Sequence, residues 1–92
     1  MQKKIKKKIN SLLSSSFPIN LELGAEKKRG FDGWTYVDIN ENCDLTLDLT
    51  KPLPFPDNSV SVIYSSHTLE HFEYAQLVKL LSECLRIELP PK

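Results

Sequence analysis

The chain has 92 residues, of which 40% are apolar and 26% charged, and its formal net charge at pH 7 is zero. This length allows one small domain, and this composition is typical of a folded globular chain rather than a disordered one. No run of about 18 apolar residues occurs and no apolar segment follows the basic N-terminus, so we expect neither a membrane-spanning helix nor a signal peptide.

Charge is distributed unevenly along the chain. Residues 1–30 contain eight Lys and Arg against two Glu, whereas residues 31–92 contain four basic and ten acidic residues. We therefore expect the two halves to attract each other. The two cysteines, Cys43 and Cys84, form no C-x-x-C pair, so we expect a reduced protein of the cytoplasm.

The first predicted element is a short basic helix over residues 1–13. Apolar residues recur at helical spacing in it with five lysines around them, and they are Ile5, Ile9, Leu12 and Leu13. We expect this helix to dock on the rest of the protein or to fray. A contact with a membrane surface stays an alternative, because basic amphipathic helices bind such surfaces, whereas we expect no nucleic-acid partner. Residues 1–16 are predicted as this helix and its linker, and residues 17–92 as the domain proper.

Four strands are predicted downstream of the linker. Apolar alternation and β-branched or aromatic composition favour strands at residues 19–24, 34–39, 45–49 and 60–66. Between the third and fourth strands, Pro52, Pro54 and Pro56 recur at every second residue. We therefore predict an irregular loop over residues 50–59 that ends in an Asp-Asn-Ser turn.

The last predicted element is a long helix from about Leu69 to Leu89. An apolar stripe at helical spacing supports it, consisting of Leu69, Phe72, Leu77, Leu80, Leu81 and Cys84, widened by Val78 and Leu85. Within this stripe we expect Cys84 to be a small buried apolar side chain.

This order of elements predicts an α/β fold with a mostly parallel sheet of about four strands, a long C-terminal helix and a short basic N-terminal helix. Two connections are short for this fold. About ten residues separate Gly24 from Thr35 and about five separate Ile39 from Leu45, whereas a parallel crossover usually takes a dozen or more. The sequence therefore leaves open how the second and third strands pair.

The segment His67–His71 fits the pattern H-x-x-E-H of a class of zinc peptidases. Such a site places both histidines on one face of a helix and needs a third protein ligand. Here His67 directly follows a predicted strand, and the carboxylates after His71 all belong to one predicted helix. We therefore expect no metal site.

Taken in order, the segments resemble the N-terminal half of a class I S-adenosylmethionine-dependent methyltransferase, which has a Rossmann-like fold. The resemblance spans roughly Asn20 to Arg86, in the stretches NLELGAEKKRGFDGWTYVDIN and DLTLDLTKPLPFPDNSVSVIYSSHTLEHF. It is closest to the small-domain methyltransferases that act on sugars and lipids. The resemblance implies transfer of a methyl group from S-adenosylmethionine to an acceptor that the sequence does not identify.

The resemblance also implies a cofactor site at the carboxyl ends of the strands, where open α/β sheets bind ligands. Gly24 matches the family glycine that lets backbone approach the methionine moiety. Asp38 matches the acidic residue that accepts the ribose hydroxyls. Asp48 matches the aspartate that the family often has near the adenine. The cofactor-binding residues implied are Glu22, Gly24, Ala25, Asp38, Ile39, Asp48, Leu49, Ser65 and His67. His67 or His71 would take the acceptor's proton, while the alternative is that Glu70 and His71 only begin the helix.

Two features depart from the family. Glu26 stands where the family has a second glycine, and its charge would repel the cofactor's carboxylate, although the basic residues 27–29 can offset it. The family's fifth to seventh strands have no counterpart after LRIELPPK. We therefore expect the fourth strand to be a sheet edge, through which the chain forms a homo-oligomer or is completed by a partner. The alternative function is a non-catalytic remnant that acts as a binding or oligomerisation module.

Overall fold

The computed structural model describes residues 3–24, 33–39, 43–65 and 72–90. Within them the elements are α1 (Lys3–Ser14), β1 (Asn20–Leu23), β2 (Trp34–Asp38), β3 (Leu45–Thr46), β4 (Val62–Ser65) and α2 (Tyr74–Ile87). The strands form one sheet in the order β3-β2-β1-β4, and each pairing is parallel. The predicted α/β fold with a parallel sheet of four strands is therefore confirmed, and so is the expectation that the fourth strand lies at an edge.

The strands are shorter than the apolar pattern predicts, most clearly at β3. This strand ends at Thr46, because Asp48 begins a turn in which its Oδ1 accepts hydrogen bonds from the amide and hydroxyl of Thr50 at 2.9 and 2.6 Å. Leu47 and Leu49 are nevertheless buried in the core. The alternation of apolar and polar residues over positions 45–49 thus reflects burial of every second side chain, although only the first two of these residues belong to a strand.

The short connection between β2 and β3 is possible because of their register. Val37 pairs with Leu45 and Asp38 with Thr46, so β3 lies beside only the last two residues of β2. After β2 ends, the chain therefore has to move back along the strand direction by only about one residue, roughly 3.3 Å, before β3 begins. It does not have to cross the full length of the sheet, as an ordinary parallel crossover does. The Asp44 carboxylate accepts the amide hydrogen of Tyr36 at 3.1 Å, which satisfies a donor of β2 that the short β3 leaves unpaired.

One face of the sheet carries the core. Leu21 and Leu23 of β1 lie on this face, while Glu22 lies on the opposite face in register with Tyr36 and Tyr64. The core cluster comprises Ile9, Ile19, Leu21, Leu23, Val37, Leu45, Leu47, Leu49, Leu53, Phe55, Val60, Leu80 and Ile87. The described side chains of the opposite face are half-buried or exposed.

The predicted basic helix is confirmed as α1, and it docks on this core. Ile9 is buried, and Ile5 and Leu12 pack against the cluster. Lys8 donates a hydrogen bond from Nζ to the backbone oxygen of Asp44 at 2.9 Å, just before β3.

The start and the buried stripe of α2 differ from the prediction. Phe72 and Glu73 are not helical, and Glu73 is the N-cap residue, so the expected start near Leu69 (itself outside the described residues) is wrong. Of the wide predicted stripe, Leu80 is buried, whereas the members Val78, Leu81 and Leu85 are exposed and Cys84 is half-buried. The stripe is narrower because no described strand lies beyond β4 to cover the outer side of the helix.

The proline-rich loop is irregular as predicted, and Arg86 of α2 holds it in place. The Arg86 guanidinium donates to the backbone oxygens of Leu53 and Phe55, each at 2.8 Å. It also pairs with Asp57 at 2.9 Å and with Glu83 at 2.8 Å. These described ion pairs lie within the acidic C-terminal part of the chain and do not join the two oppositely charged halves.

Candidate functional site

The parallel register brings the carboxyl ends of the strands together at one edge of the sheet. Leu23 lies opposite both Val37 and Ser65, and Asp38 lies opposite Thr46. The residues that end the strands or follow them by one or two positions therefore form a row, which we call the carboxyl-end row: Gly24, Asp38, Ile39, Asp48 and Ser65. Because neighbouring strands lie about 4.8 Å apart, the row crosses roughly 14 Å of the sheet.

Gly24 and Ser65 form the centre and one end of this row. Gly24 has φ of 72°, a left-handed conformation that favours glycine, and its amide donates to the backbone oxygen of Val37 at 2.6 Å. Ser65 donates its hydroxyl hydrogen to the backbone oxygen of Leu23 at 3.4 Å. The backbone at the end of β1 is thereby fixed between its two neighbours, with no side chain at Gly24.

Asp38 and Ile39 form the next part of the row. Asp38 accepts the amide hydrogen of Ile39 on Oδ1 at 2.7 Å, and its backbone oxygen accepts that of Leu47 at 2.8 Å. The carboxylate is half-buried, while the Ile39 side chain is 65% exposed. A carboxylate with acceptor capacity and an exposed apolar side chain thus stand side by side.

Asp48 ends the row on the β3 side. The hydroxyl and the amide of Thr50 lower the pKa of its carboxyl below the ordinary value, in that order of importance. Leu49 differs from the other predicted residues, because its side chain is buried in the core and only its backbone can meet a ligand. The sequence reasoning missed Thr50, although its place two residues after an aspartate is typical of a local turn.

Glu22 lies close to the row without belonging to it. It precedes Gly24 by two residues and lies on the open face of the sheet, between Tyr36 and Tyr64 in register. On the same face the rings of Trp34 and Tyr64 meet edge to face, with centroids 6.4 Å apart. No motif in the sequence points to a role for this aromatic face.

The remaining predicted site residues, Ala25, His67 and His71, lie outside the described residues, as do Glu26 and Glu70. Their roles stay predictions. The H-x-x-E-H segment falls in the same range. Among the residues that the structure does describe, no three His, Cys, Asp or Glu side chains group as a metal site.

Two cavities adjoin the row, one on each side. A cavity of about 320 Å³ lies between residues 49–52 and α2, with Lys51 and Glu83 among its lining residues. A second, of about 410 Å³, lies between the ends of β1 and β4 and the outer side of α2. Its lining is mostly apolar and comprises Leu23, Ile63, Ser65, Leu81, Cys84, Leu85 and Glu88.

Neither cysteine is poised to react. Burial, with smaller contributions from Glu88 and Glu83, raises the pKa of Cys84 to about 11. Burial also raises the pKa of Cys43, whose S–H donates to the backbone oxygen of Leu45 at 3.0 Å. Both thiols are therefore protonated at neutral pH, and Cys84 supplies no thiolate nucleophile to the cavity beside it.

No helix in the described ranges is long and apolar enough to cross a membrane.

Comparison with known proteins gives a family match. A family model described as a methyltransferase domain matches residues 25–90, which are 66 of the 92 residues. The match begins directly after Gly24 and covers β2, β3, β4 and α2. Searches of curated proteins and of solved structures found no match.

Proposed function

The chain belongs to the family of methyltransferase domains, and on this premise we propose that it binds S-adenosylmethionine at the carboxyl-end row and takes part in methyl transfer to a small acceptor. The observation that carries the proposal is the parallel register that puts Gly24, Asp38, Asp48 and Ser65 at one edge. Open α/β sheets bind ligands at this edge.

The chemistry of the row suits each part of this cofactor. Gly24 has no side chain and a positive φ, so backbone can approach the methionine moiety. The carboxylate of Asp38 would accept the ribose hydroxyls, and the exposed side chain of Ile39 would pack against the purine. Asp48, whose carboxylate accepts hydrogen bonds from Thr50, would lie at the adenine end.

The chain's own contribution is to position the reactants. When bound, S-adenosylmethionine supplies an electrophilic methyl group on its sulfonium. The row would orient it, and the residues after β4 would border both cofactor and acceptor. His67 or His71 would accept a proton from the acceptor, a role that their ordinary pKa near neutrality permits. The acceptor would be a sugar, a lipid or another small molecule.

Calorimetric titration with S-adenosylmethionine tests this proposal. We expect saturable binding, and we expect Asp38→Asn to weaken it by roughly 10- to 100-fold, because a hydrogen bond to a charged group contributes about 1.5–3 kcal/mol. Asp57→Asn is the matched control, since Asp57 is exposed and pairs with Arg86 away from the row. Absence of binding at millimolar ligand, with the chain folded, would refute the proposal.

A second proposal concerns the open edge of the sheet: the chain associates with a second copy through β4. Val62 and Tyr64 are exposed on the open face of β4. Leu81 and Leu85 are exposed on α2, which borders β4 from the core side of the sheet. If cofactor binding fails, this association would remain as the function of a non-catalytic module.

A further inference from the structure

The helix α1 and the residues directly after it form a surface that the proposed methyl transfer does not use. Lysines 3, 4, 6 and 7 of α1 are exposed, and within the described residues they take part in none of the ion pairs. Lys8 alone is held, by its hydrogen bond to Asp44. The helix therefore presents several uncompensated positive charges.

Helical spacing places part of this charge on one side of α1. Lys3, Lys6, Asn10 and Leu13 follow one another at intervals of three, four and three residues, so they share a side of the helix. Leu13 is 38% exposed at the end of this line. Two lysines and an asparagine thus share a side of the helix with an exposed leucine.

Leu13 belongs to an apolar patch at the C-terminal end of α1. Phe17 is 78% exposed and Leu89 47% exposed, and both lie with Leu13 around one shallow cavity of about 400 Å³. The polar groups around this cavity are uncharged serines: Ser15, Ser16, Ser59 and Ser61. An exposed aromatic side chain thus lies just after the C-terminal end of the lysine-bearing helix.

The apolar face of α1 itself is already occupied. Ile9 is 4% exposed, and Ile5 and Leu12 pack against the core. The helix therefore cannot lay that face into a bilayer while the domain stays folded. A membrane contact has to use the lysine side together with the patch of Leu13, Phe17 and Leu89.

We propose that this surface, made of Lys3, Lys6, Lys7, Leu13, Phe17 and Leu89, docks on an anionic lipid bilayer. Lysines near an anionic membrane surface are attracted to it, and exposed aromatic and aliphatic side chains enter the interface between headgroups and acyl chains. Nucleic acid fits this surface less well, because its phosphates would interact with the lysines but not with the exposed apolar side chains. In addition, α1 contains no arginine that could make bidentate contacts with a phosphate. The combination of charge with an exposed apolar patch favours the bilayer.

The position of the surface is compatible with an active site that stays accessible. Ile19 precedes β1, and Ser59 and Ser61 precede β4, so the patch lies at the amino ends of the strands. The carboxyl-end row is at the opposite edge of the same sheet. Contact through this patch would therefore leave the row at the far end of the strands from the membrane.

Vesicle co-sedimentation tests the proposal with the full chain. At about 0.1 M salt we expect binding to phosphatidylcholine vesicles that contain about 30% phosphatidylserine, and little binding to phosphatidylcholine alone. Raising the salt to about 0.5 M should release most of the protein, because screening removes the lysine contribution.

Two variants identify the surface. Lys3→Gln with Lys6→Gln should weaken binding roughly 25-fold, since each lysine contributes about fivefold, and Phe17→Ser should weaken it at least about fivefold. Lys51→Gln with Lys79→Gln is the matched control, because it removes the same charge from exposed lysines on another surface and should change binding less than about threefold. All the substituted side chains are exposed, so the variants should fold, and circular dichroism checks this.

Three outcomes would overturn the proposal. The first is no binding to anionic vesicles by the folded chain. The second is equal weakening by the two lysine variants, which would indicate a nonspecific response to net charge. The third is binding to short double-stranded DNA as tight as to anionic vesicles and unaffected by Phe17→Ser, which would make the surface a nucleic-acid site.

Discussion

At the scale of single residues, the two cysteines show how far burial controls reactivity in this domain. The pKa of Cys84 is raised from 9.0 to about 11, so its thiolate fraction near neutral pH falls about a hundredfold. Cys43 is buried and its pKa is raised as well. Because only the thiolate is nucleophilic, both side chains should behave as inert apolar groups in the folded state.

We predict that neither thiol of the folded chain reacts appreciably with Ellman's reagent at pH 8 within minutes, while two thiols react in denaturant. For Cys84 we expect a reaction rate about a hundredfold lower than that of a thiol with the ordinary pKa, because its pKa is raised to about 11. Cys84→Ser serves as the control that assigns the signal. Fast reaction of Cys84 in the folded chain would show that this side chain of α2 does not pack against the core.

Sequence could predict some site residues and not others for reasons that are visible at this scale. Gly24 and Asp38 are identifiable because a strand ends at each of them, and strand ends are marked by glycine and by polar residues. The burial of the Leu49 side chain is not visible in the sequence, because alternation in a strand and alternation in an extended loop look alike.

At the scale of elements, Arg86 joins α2 to the loop that precedes β4. Its guanidinium contacts two loop carbonyl oxygens and two carboxylates, those of Glu83 and Asp57. Glu83 in turn accepts the amide hydrogen of Leu53 at 2.7 Å. Together with the backbone hydrogen bonds from Asn58 and Ser59 to the end of α2, these contacts hold the loop in position.

We predict that Arg86→Ala destabilises the fold by about 2–4 kcal/mol, because it leaves two carbonyl oxygens without their side-chain donor and Glu83 without its charged partner. Arg86→Lys should recover only part of this loss, since a lysine ammonium cannot donate to several acceptors in the planar, forked arrangement of a guanidinium. Urea unfolding followed by circular dichroism measures both. A loss below about 0.5 kcal/mol for Arg86→Ala would contradict the role assigned to this residue.

The same contacts make a prediction for pH. The hydrogen bond from Arg86 is the main cause that lowers the pKa of Glu83 below its ordinary value. A carboxyl with a lowered folded pKa stabilises the fold above its unfolded pKa, and this contribution is lost as the pH falls through the folded value. We therefore expect unfolding free energy to decrease below about pH 4.5 and the decrease to be smaller in Glu83→Gln. Equal acid sensitivity of the two proteins would contradict the prediction.

The elements themselves were predictable to different degrees. The lysines and spaced isoleucines of α1 indicate its helix, and all four strands were located by their apolar residues. The start of α2 was not predicted correctly. The apolar spacing continues back to Phe72, whereas the helix begins only after its N-cap residue, Glu73. The parallel pairing of β2 with β3 depends on a register of two residues, which no local pattern encodes.

At the scale of the whole molecule, apolar side chains are exposed on both sides of the β4 edge of the described sheet. Val62 and Tyr64 are exposed on its open face, and Leu81 and Leu85 are exposed on α2, which borders β4 from the core side. This is the surface at which we propose self-association.

We predict a dimer in sedimentation velocity at tens of micromolar protein. Val62→Lys should shift it to the monomer, because it places a charge on the edge strand. Val78→Lys is a matched control, since Val78 is equally exposed but lies on α2 beside residues 49–52. A monomeric wild-type chain at all concentrations would refute the association.

The central claim is that the carboxyl-end row binds the cofactor, and an NMR titration with S-adenosylhomocysteine tests it most directly. In amide spectra of the ¹⁵N-labelled chain, we predict saturable shifts that concentrate at Gly24, Asp38, Ile39, Asp48 and Ser65. Amides at the opposite edge, such as those of Ile19 and Ser61, should stay in place. Shifts confined to that opposite edge, or an unchanged spectrum of a folded chain at millimolar ligand, would contradict the claim.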